Sequence, residues 1–163
     1  MTKLLALSAA LVLVGGCCLF LPGDPFCDDY TRERPEAADL AGAWIAGADS
    51  VARLQAQGYA VASPPAIDLK ADGTFTMTGM PDGWRVFFER ERRRTFESAA
   101  GRWELGRHQQ WWALDMHFET LDGRPWTRAS YNQFHLRREQ PPYLLHVTIG
   151  DPDAGERVEF ERQ

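Results

Sequence analysis

Beyond residue 27 the chain contains no cysteine; its three thiols, Cys17, Cys18 and Cys27, all lie near the start. A domain built from the later residues has no disulfide to cross-link it and no thiol to serve as nucleophile or metal ligand. Lysine is nearly absent as well, at Lys3 and Lys70 alone, so arginine carries almost all the positive charge. The formal net charge is −5, with a pI near 5.4. That excludes the basic balance of a nucleic-acid binder. The domain also lacks Gly-x-Ser-x-Gly, His-Glu-x-x-His, a phosphate-binding glycine loop and any Cys–His pairing. No residue is therefore nominated for catalysis, no cofactor is implied, and the chain is not expected to be an enzyme.

What is present starts with the N-terminus. The length of 163 residues suits one domain with appendages, and the apolar share of 44% allows a sizeable core. Met1-Thr2-Lys3 is a short positive segment, and Leu4 to Val14 is an uncharged apolar run. This is the layout of an export signal, whose apolar stretch spans roughly 7–15 residues. Val14-Gly15-Gly16-Cys17 follows. It resembles the lipobox of bacterial lipoproteins, in which small residues present an unobstructed backbone to the peptidase and the cysteine thiol takes the lipid. The resemblance implies a signal peptide at residues 1–16 and lipidation of Cys17. The partner would be a membrane, held through the N-terminal lipid. The absence of aspartate after Cys17 implies an outer-membrane lipoprotein of the envelope, facing the periplasm. An uncleaved anchor is the alternative, since Leu4 to Leu21 is uncharged and Pro22 would end a helix there. Cys18 and Cys27 can pair with each other or between two chains.

Residues 17–39 are rich in Pro, Asp and Glu and show neither a strand nor a helix period. They read as a spacer, with packing of Phe26 and Tyr30 along the domain as the alternative. The domain itself is expected over residues 40–163. Leu40 to Ala46 reads as a first strand. A short helix follows, with Asp49 or Ser50 as N-cap, Val51 and Leu54 on its apolar face, and Gly58 and Tyr59 completing a Schellman ending. From there period-two alternation dominates: Ile67 and Leu69, Phe75 and Met77, Trp103 and Leu105, Trp112 to Phe118, Phe134 and Leu136, Tyr143 to Ile149, and Val158 and Phe160. Turns are expected at Asp72-Gly73, at 106–109, after Leu121, at Gln140-Pro-Pro and at 151–155. The fold class is thus all-β, about eight short antiparallel strands in sequence order. They would close into a small barrel or remain a strongly bent sheet. Residues 81–96, with Trp84, Phe87 and Phe88, break the pattern and read as a lid or a surface helix.

Gly42-Ala-Trp44 on the first strand, then a helix and a β-meander, resembles the lipocalin-like small barrels. Asp72-Gly-Thr-Phe75 and Gly101-Arg-Trp103 are similar to bacterial lipoproteins of that kind. The tail from Pro141 to Glu156 resembles the closing hairpin of a group of bacterial proteins that carry no assigned activity. The heavy aromatic load, Trp44, Trp84, Trp103, Trp112, Phe118 and Phe134 above all, can line a cavity for a small apolar or amphipathic ligand. It can equally fill the barrel, which would leave an interaction or structural lipoprotein that contacts another envelope protein. A four-residue loop at Glu139–Pro142 would set His135 opposite His146, with His117 on a neighbouring strand. Such a face could bind zinc or copper, or be a solvated polar surface. Asp151, Asp153 and Glu156 read as an acidic turn, and Arg90, Arg92, Arg93 and Arg94 as a solvated charged loop.

Overall fold

The computed structural model describes residues 29–84, 94–126, 131–149 and 157–163. Cys17, Cys18, Cys27, Phe26, Phe87, Phe88, Arg90, Arg92, Arg93 and the acidic turn at 151–156 lie outside them.

Nine strands form one antiparallel sheet: β1 Gly42–Ala46, β2 Ala66–Leu69, β3 Thr74–Pro81, β4 Phe96–His108, β5 Trp111–Leu121, β6 Arg124–Pro125, β7 Tyr131–Arg137, β8 Leu144–Thr148 and β9 Arg157–Arg162. Eight of them close into a barrel, because β4 pairs with β5 and β9 returns to β1. The ninth, β6, is a short extra hairpin arm on β5. The expected all-β barrel with one short helix after its first strand is therefore the fold. Closure follows from the pattern. Alternate residues of each strand are apolar, and closing the sheet hides all of them together while leaving no unpaired edge.

The interior is a continuous apolar cluster. Trp44, Leu114, Met116, Phe134, Leu136, Leu145, Val158 and Phe160 are each fully buried within it. Burying one such side chain contributes about 1.5–3 kcal/mol. Phe134 stacks on Phe160 at 6.5 Å between ring centroids, and Phe75 meets Phe118 edge-on at 5.5 Å.

Local details separate what the pattern foretold from what it did not. Helix α2, Ala48–Ala56, ends as expected: Gly58 takes φ +88, Tyr59 N–H donates to Leu54 O at 3.0 Å, and Gly58 N–H donates to Gln55 O at 2.9 Å. Its start differs. Gly47 occupies the N-cap position with no side-chain cap, and Ser50 lies inside the helix. The Ser50 hydroxyl is needed elsewhere, accepting from Glu159 N–H at 2.9 Å and so docking the helix on β9. The first strand begins at Gly42, not Leu40, because Ala37–Leu40 forms a short helix, α1, that buries Leu40. The turn expected at 106–109 is displaced: β4 and β5 stay paired out to His108 and Trp111, leaving only Gln109 and Gln110 between them. Asp122 and Gly123, both at positive φ, make the next turn, the conformation a two-residue type I′ hairpin requires.

The segment read as spacer joins the barrel from Asp29 onward. Between β5 and β7, where their own pairing stops at Ala113 and His135, the chain inserts as a further short strand. Thr31 N–H donates to Leu136 O at 3.1 Å, Trp112 N–H to Thr31 O at 2.8 Å and Arg138 N–H to Asp29 O at 2.7 Å. Thr31, Pro35 and Leu40 are buried as the chain then crosses the mouth of the barrel. Arg162, reaching over Gly42, caps α1 by donating to the carbonyls of Asp39 and Ala41. Residues 31–41 thus form a lid over this end.

Candidate functional site

Four places have the composition of a site: the aromatic interior, the segment after β3, the histidine face, and a cleft beside α2.

The aromatic residues nominated for a ligand all join the core cluster or pack directly on it. Trp44 is fully buried and its indole N–H donates to Leu40 O at 2.8 Å, tying the lid to β1. Trp103 donates to Lys70 O at 3.0 Å, which holds the β2–β3 turn. Phe134 lies in the centre. Trp112 and Phe118 are half-buried against the cluster, and the Arg34 guanidinium lies over the Trp112 ring at 5.4 Å. Trp84 falls in a 3-10 turn, Asp82–Trp84, directly after β3. Its ring is buried against Phe118 at 4.6 Å, and its carbonyl accepts from Asn132. Trp84 therefore closes the end of the barrel opposite the lid. Of the segment 81–96, read as a lid or surface helix, Pro81 belongs to β3, Asp82–Trp84 forms this turn and Phe96 begins β4; residues 85–93 lie outside the described residues.

The opposition of His135 and His146 across β7 and β8 is as expected from the loop length. Their surroundings are not a solvated face. The rings stand 6.0 Å apart, edge to face, beneath Tyr30. Tyr30 also meets Trp111, the rings tilted and 5.5 Å apart. Neither histidine Nδ1 has a hydrogen-bond partner among the described residues. Burial drives the pKa of His135 down to about 4, with His108 contributing. Burial first, then His135 and the guanidiniums of Arg157, Arg137 and Arg53, drives that of His146 to about 3. A cation is costly here, so both rings are neutral near pH 7. Burial likewise raises the Tyr30 hydroxyl pKa.

His117 does not join them. It pairs in register with Tyr131, near the far end of β7, and its ring approaches Glu104 at 3.2 Å. His108, at the end of β4, is the histidine the sequence reading missed. The unexpected extension of β4 brings it to Asp115 at 2.9 Å and to Gln133 at 2.8 Å. Gln133 Nε2 donating to Nδ1 leaves Nε2–H of His108 to donate to Asp115. Gly106 makes this possible, since a Cβ there would lie 2.0 Å from Asp115 Oδ2. Among the described residues no three His, Cys, Asp or Glu side chains come together to hold a metal ion. The histidine pair thus lacks the further ligands that a zinc site needs.

Beside these lies an ion-pair network. Arg137 bridges Asp29 at 2.6 Å and Glu159, and Glu159 also meets Arg157 at 3.4 Å and Arg53 at 3.7 Å. It links the inserted segment, β7, β9 and α2. Next to it a cleft of about 280 Å³ opens at the start of α2, lined by Gly47, Ala48, Asp49, Ser50, Leu144, Glu159 and Glu161. Its walls are polar and acidic, unlike the barrel interior. Among the described residues no helix is long and apolar enough to cross a membrane. Comparison of the chain with protein-family models, with curated proteins and with solved structures found no match.

Proposed function

We propose that this is an outer-membrane lipoprotein, exported by its N-terminal signal and anchored through a lipid on Cys17. In this reading its barrel is a packed interaction module that contacts another envelope protein through its outer surface. The observation that carries the second half is the filled interior. Trp44, Leu114, Met116, Phe134 and Phe160 occupy the space that a ligand would need, with no exposure to solvent. A small-molecule pocket requires roughly 300–1,000 Å³ of concave, mostly apolar space. The lid at one mouth and Trp84 at the other add to the argument, because both close routes inward. The first expectation, a barrel holding a small apolar ligand among Trp44, Trp84, Trp103, Trp112, Phe118 and Phe134, is the weaker reading on this geometry.

Native mass spectrometry of the full chain released from its membrane in mild detergent tests the choice. The expected result is the mass of the processed, lipidated chain alone. A co-purifying lipid or other small molecule, displaced by Phe134→Trp, would reverse it. The anchor is tested separately by growth with an alkyne-tagged fatty acid. Label should appear in the wild-type chain and be absent from Cys17→Ser.

A further inference from the structure

We infer that the barrel stands with its lidded mouth toward the bilayer, and that this rim is the surface that meets lipid. The inference rests on the anchor at Cys17 proposed above. It follows from where the described chain begins and which way it runs. Asp29 to Thr31 lies antiparallel to β7, with Thr31 beside Leu136 and Asp29 beside Arg138. Traced back toward the N-terminus, the chain climbs the wall and reaches, at Asp29, the rim where β7 ends. That end of the described chain is firmly held. Thr31 is fully buried, its hydroxyl donates to Arg138 O at 2.6 Å, and Arg137 holds the Asp29 carboxylate at 2.6 Å. Any pull from a membrane anchor is therefore delivered at this rim.

Length supplies the scale. Twelve residues separate Cys17 from Asp29, and in any conformation they span no more than about 40 Å. The opposite end of the barrel lies further off by the height of the wall. β5, with 11 residues, runs about 35 Å along its own axis and somewhat less along the barrel, since strands tilt. The rim can rest on the headgroups at any tether extension, whereas the far end reaches them only if the barrel turns over on a tether drawn out to roughly two-thirds of its full length.

The rim's chemistry suits that position. The Arg34 guanidinium lies over the Trp112 ring, and Pro141 and Pro142 are exposed on the neighbouring β7–β8 turn. Indoles and arginines are the side chains that place an apolar body and a polar head at a membrane interface. The rim's charge is mixed, with Arg34, Arg107 and Arg138 offset by Glu33, Glu36 and Glu139. Tether geometry, not attraction to anionic lipid, sets the orientation.

The test reconstitutes the full lipidated chain into vesicles of phosphatidylethanolamine and phosphatidylglycerol. A photo-reactive residue replaces either Gln110, in the exposed rim turn, or Arg124, exposed at the far end. Flotation with the vesicles, lost in Cys17→Ser, comes first, and a wild-type chain that fails to float overturns the anchor and this inference together. For a chain that floats, lipid adducts should form at least about five-fold more from position 110 than from 124, since the rim stays beside the anchor while the far end meets the headgroups only when the barrel inverts on an extended tether. The ratio should hold from about 0.05 to 0.5 M salt, a range over which surface charge attraction is largely screened out. Equal adducts, or more from 124, overturn the orientation while leaving the anchor intact. Adducts from 110 to a second protein chain in place of lipid would make the rim a protein interface and overturn it as well.

Discussion

His135 and His146 face each other across β7 and β8 with ring centroids 6.0 Å apart, roofed by Tyr30 and with neither Nδ1 hydrogen-bonded among the described residues. The two rings are neutral bases that become acceptable cations only when the fold opens.

Stability should therefore fall on acidification over a defined window. Both folded pKa values, about 4 and about 3, lie below the ordinary histidine value of about 6.5, so between them the unfolded chain binds more protons. The contribution is fully present above about pH 6.5 and is lost as pH falls toward 4, at up to about 2.7 kcal/mol per pH unit for two protons. Urea midpoints measured at pH 7.0, 5.5 and 4.5 should drop accordingly. The double variant His135→Leu/His146→Leu should flatten that slope, and an unchanged slope would show that carboxylates alone govern acid sensitivity.

Tyr30→Ala should act on both stability and titration. It removes a ring stacked on His146 and tilted against Trp111 and His135, at a cost of about 2–4 kcal/mol. By admitting water to the pair it should also move both histidine pKa values upward toward 6.5. Proton NMR of the imidazole C–H signals reads this directly; stability loss without a titration shift would mean that Tyr30 is not the cover.

Two glycines should differ in tolerance because different atoms crowd them. A Cβ at Gly101 would lie 2.0 Å from the backbone carbonyl of His117, across the bulge where β4 and β5 change register. Backbone cannot yield cheaply, and Gly101→Ala should cost about 3 kcal/mol or more. At Gly106 the obstacle is the Asp115 carboxylate, which can rotate. Gly106→Ala should cost about 1–2 kcal/mol, chiefly the lost His108–Asp115 hydrogen bond. Chemical denaturation of the two variants should preserve this order.

Zinc and copper should leave the thermal midpoint where it is. The pair offers two nitrogens under an aromatic roof and no third ligand among the described residues, whereas a metal that bound the native state would raise the midpoint with concentration. Calorimetric titration of wild type and of His135→Ala/His146→Ala should agree, and saturable binding abolished in the variant would establish a site.

The strands were legible because period-two alternation is a direct consequence of one face being buried. The Leu54–Tyr59 ending and the His135–His146 register were legible because each depends on local spacing alone. What escaped depends on partners distant in sequence. Tyr30 was legible only as an alternative anchor of a segment read as spacer, because nothing near it says which residues, more than a hundred positions away, it will cover. Ser50 resembled a helix cap until Glu159 claimed its hydroxyl. The extension of β4 to His108 hid behind Gly106, which looks like a turn glycine but serves a close approach of Asp115. The candidate site suffered most, because whether a histidine is solvated is a property of what lies above it.

The pairing of β1 with β9 carries a consequence for biogenesis. The wall can be completed only when its first strand meets its last, so no partial chain lacking residues 157–162 can close. Contacts of such long sequence range form slowly, because the entropy of a large loop is lost before they are made. A barrel built this way is sealed only once β9 is available to β1.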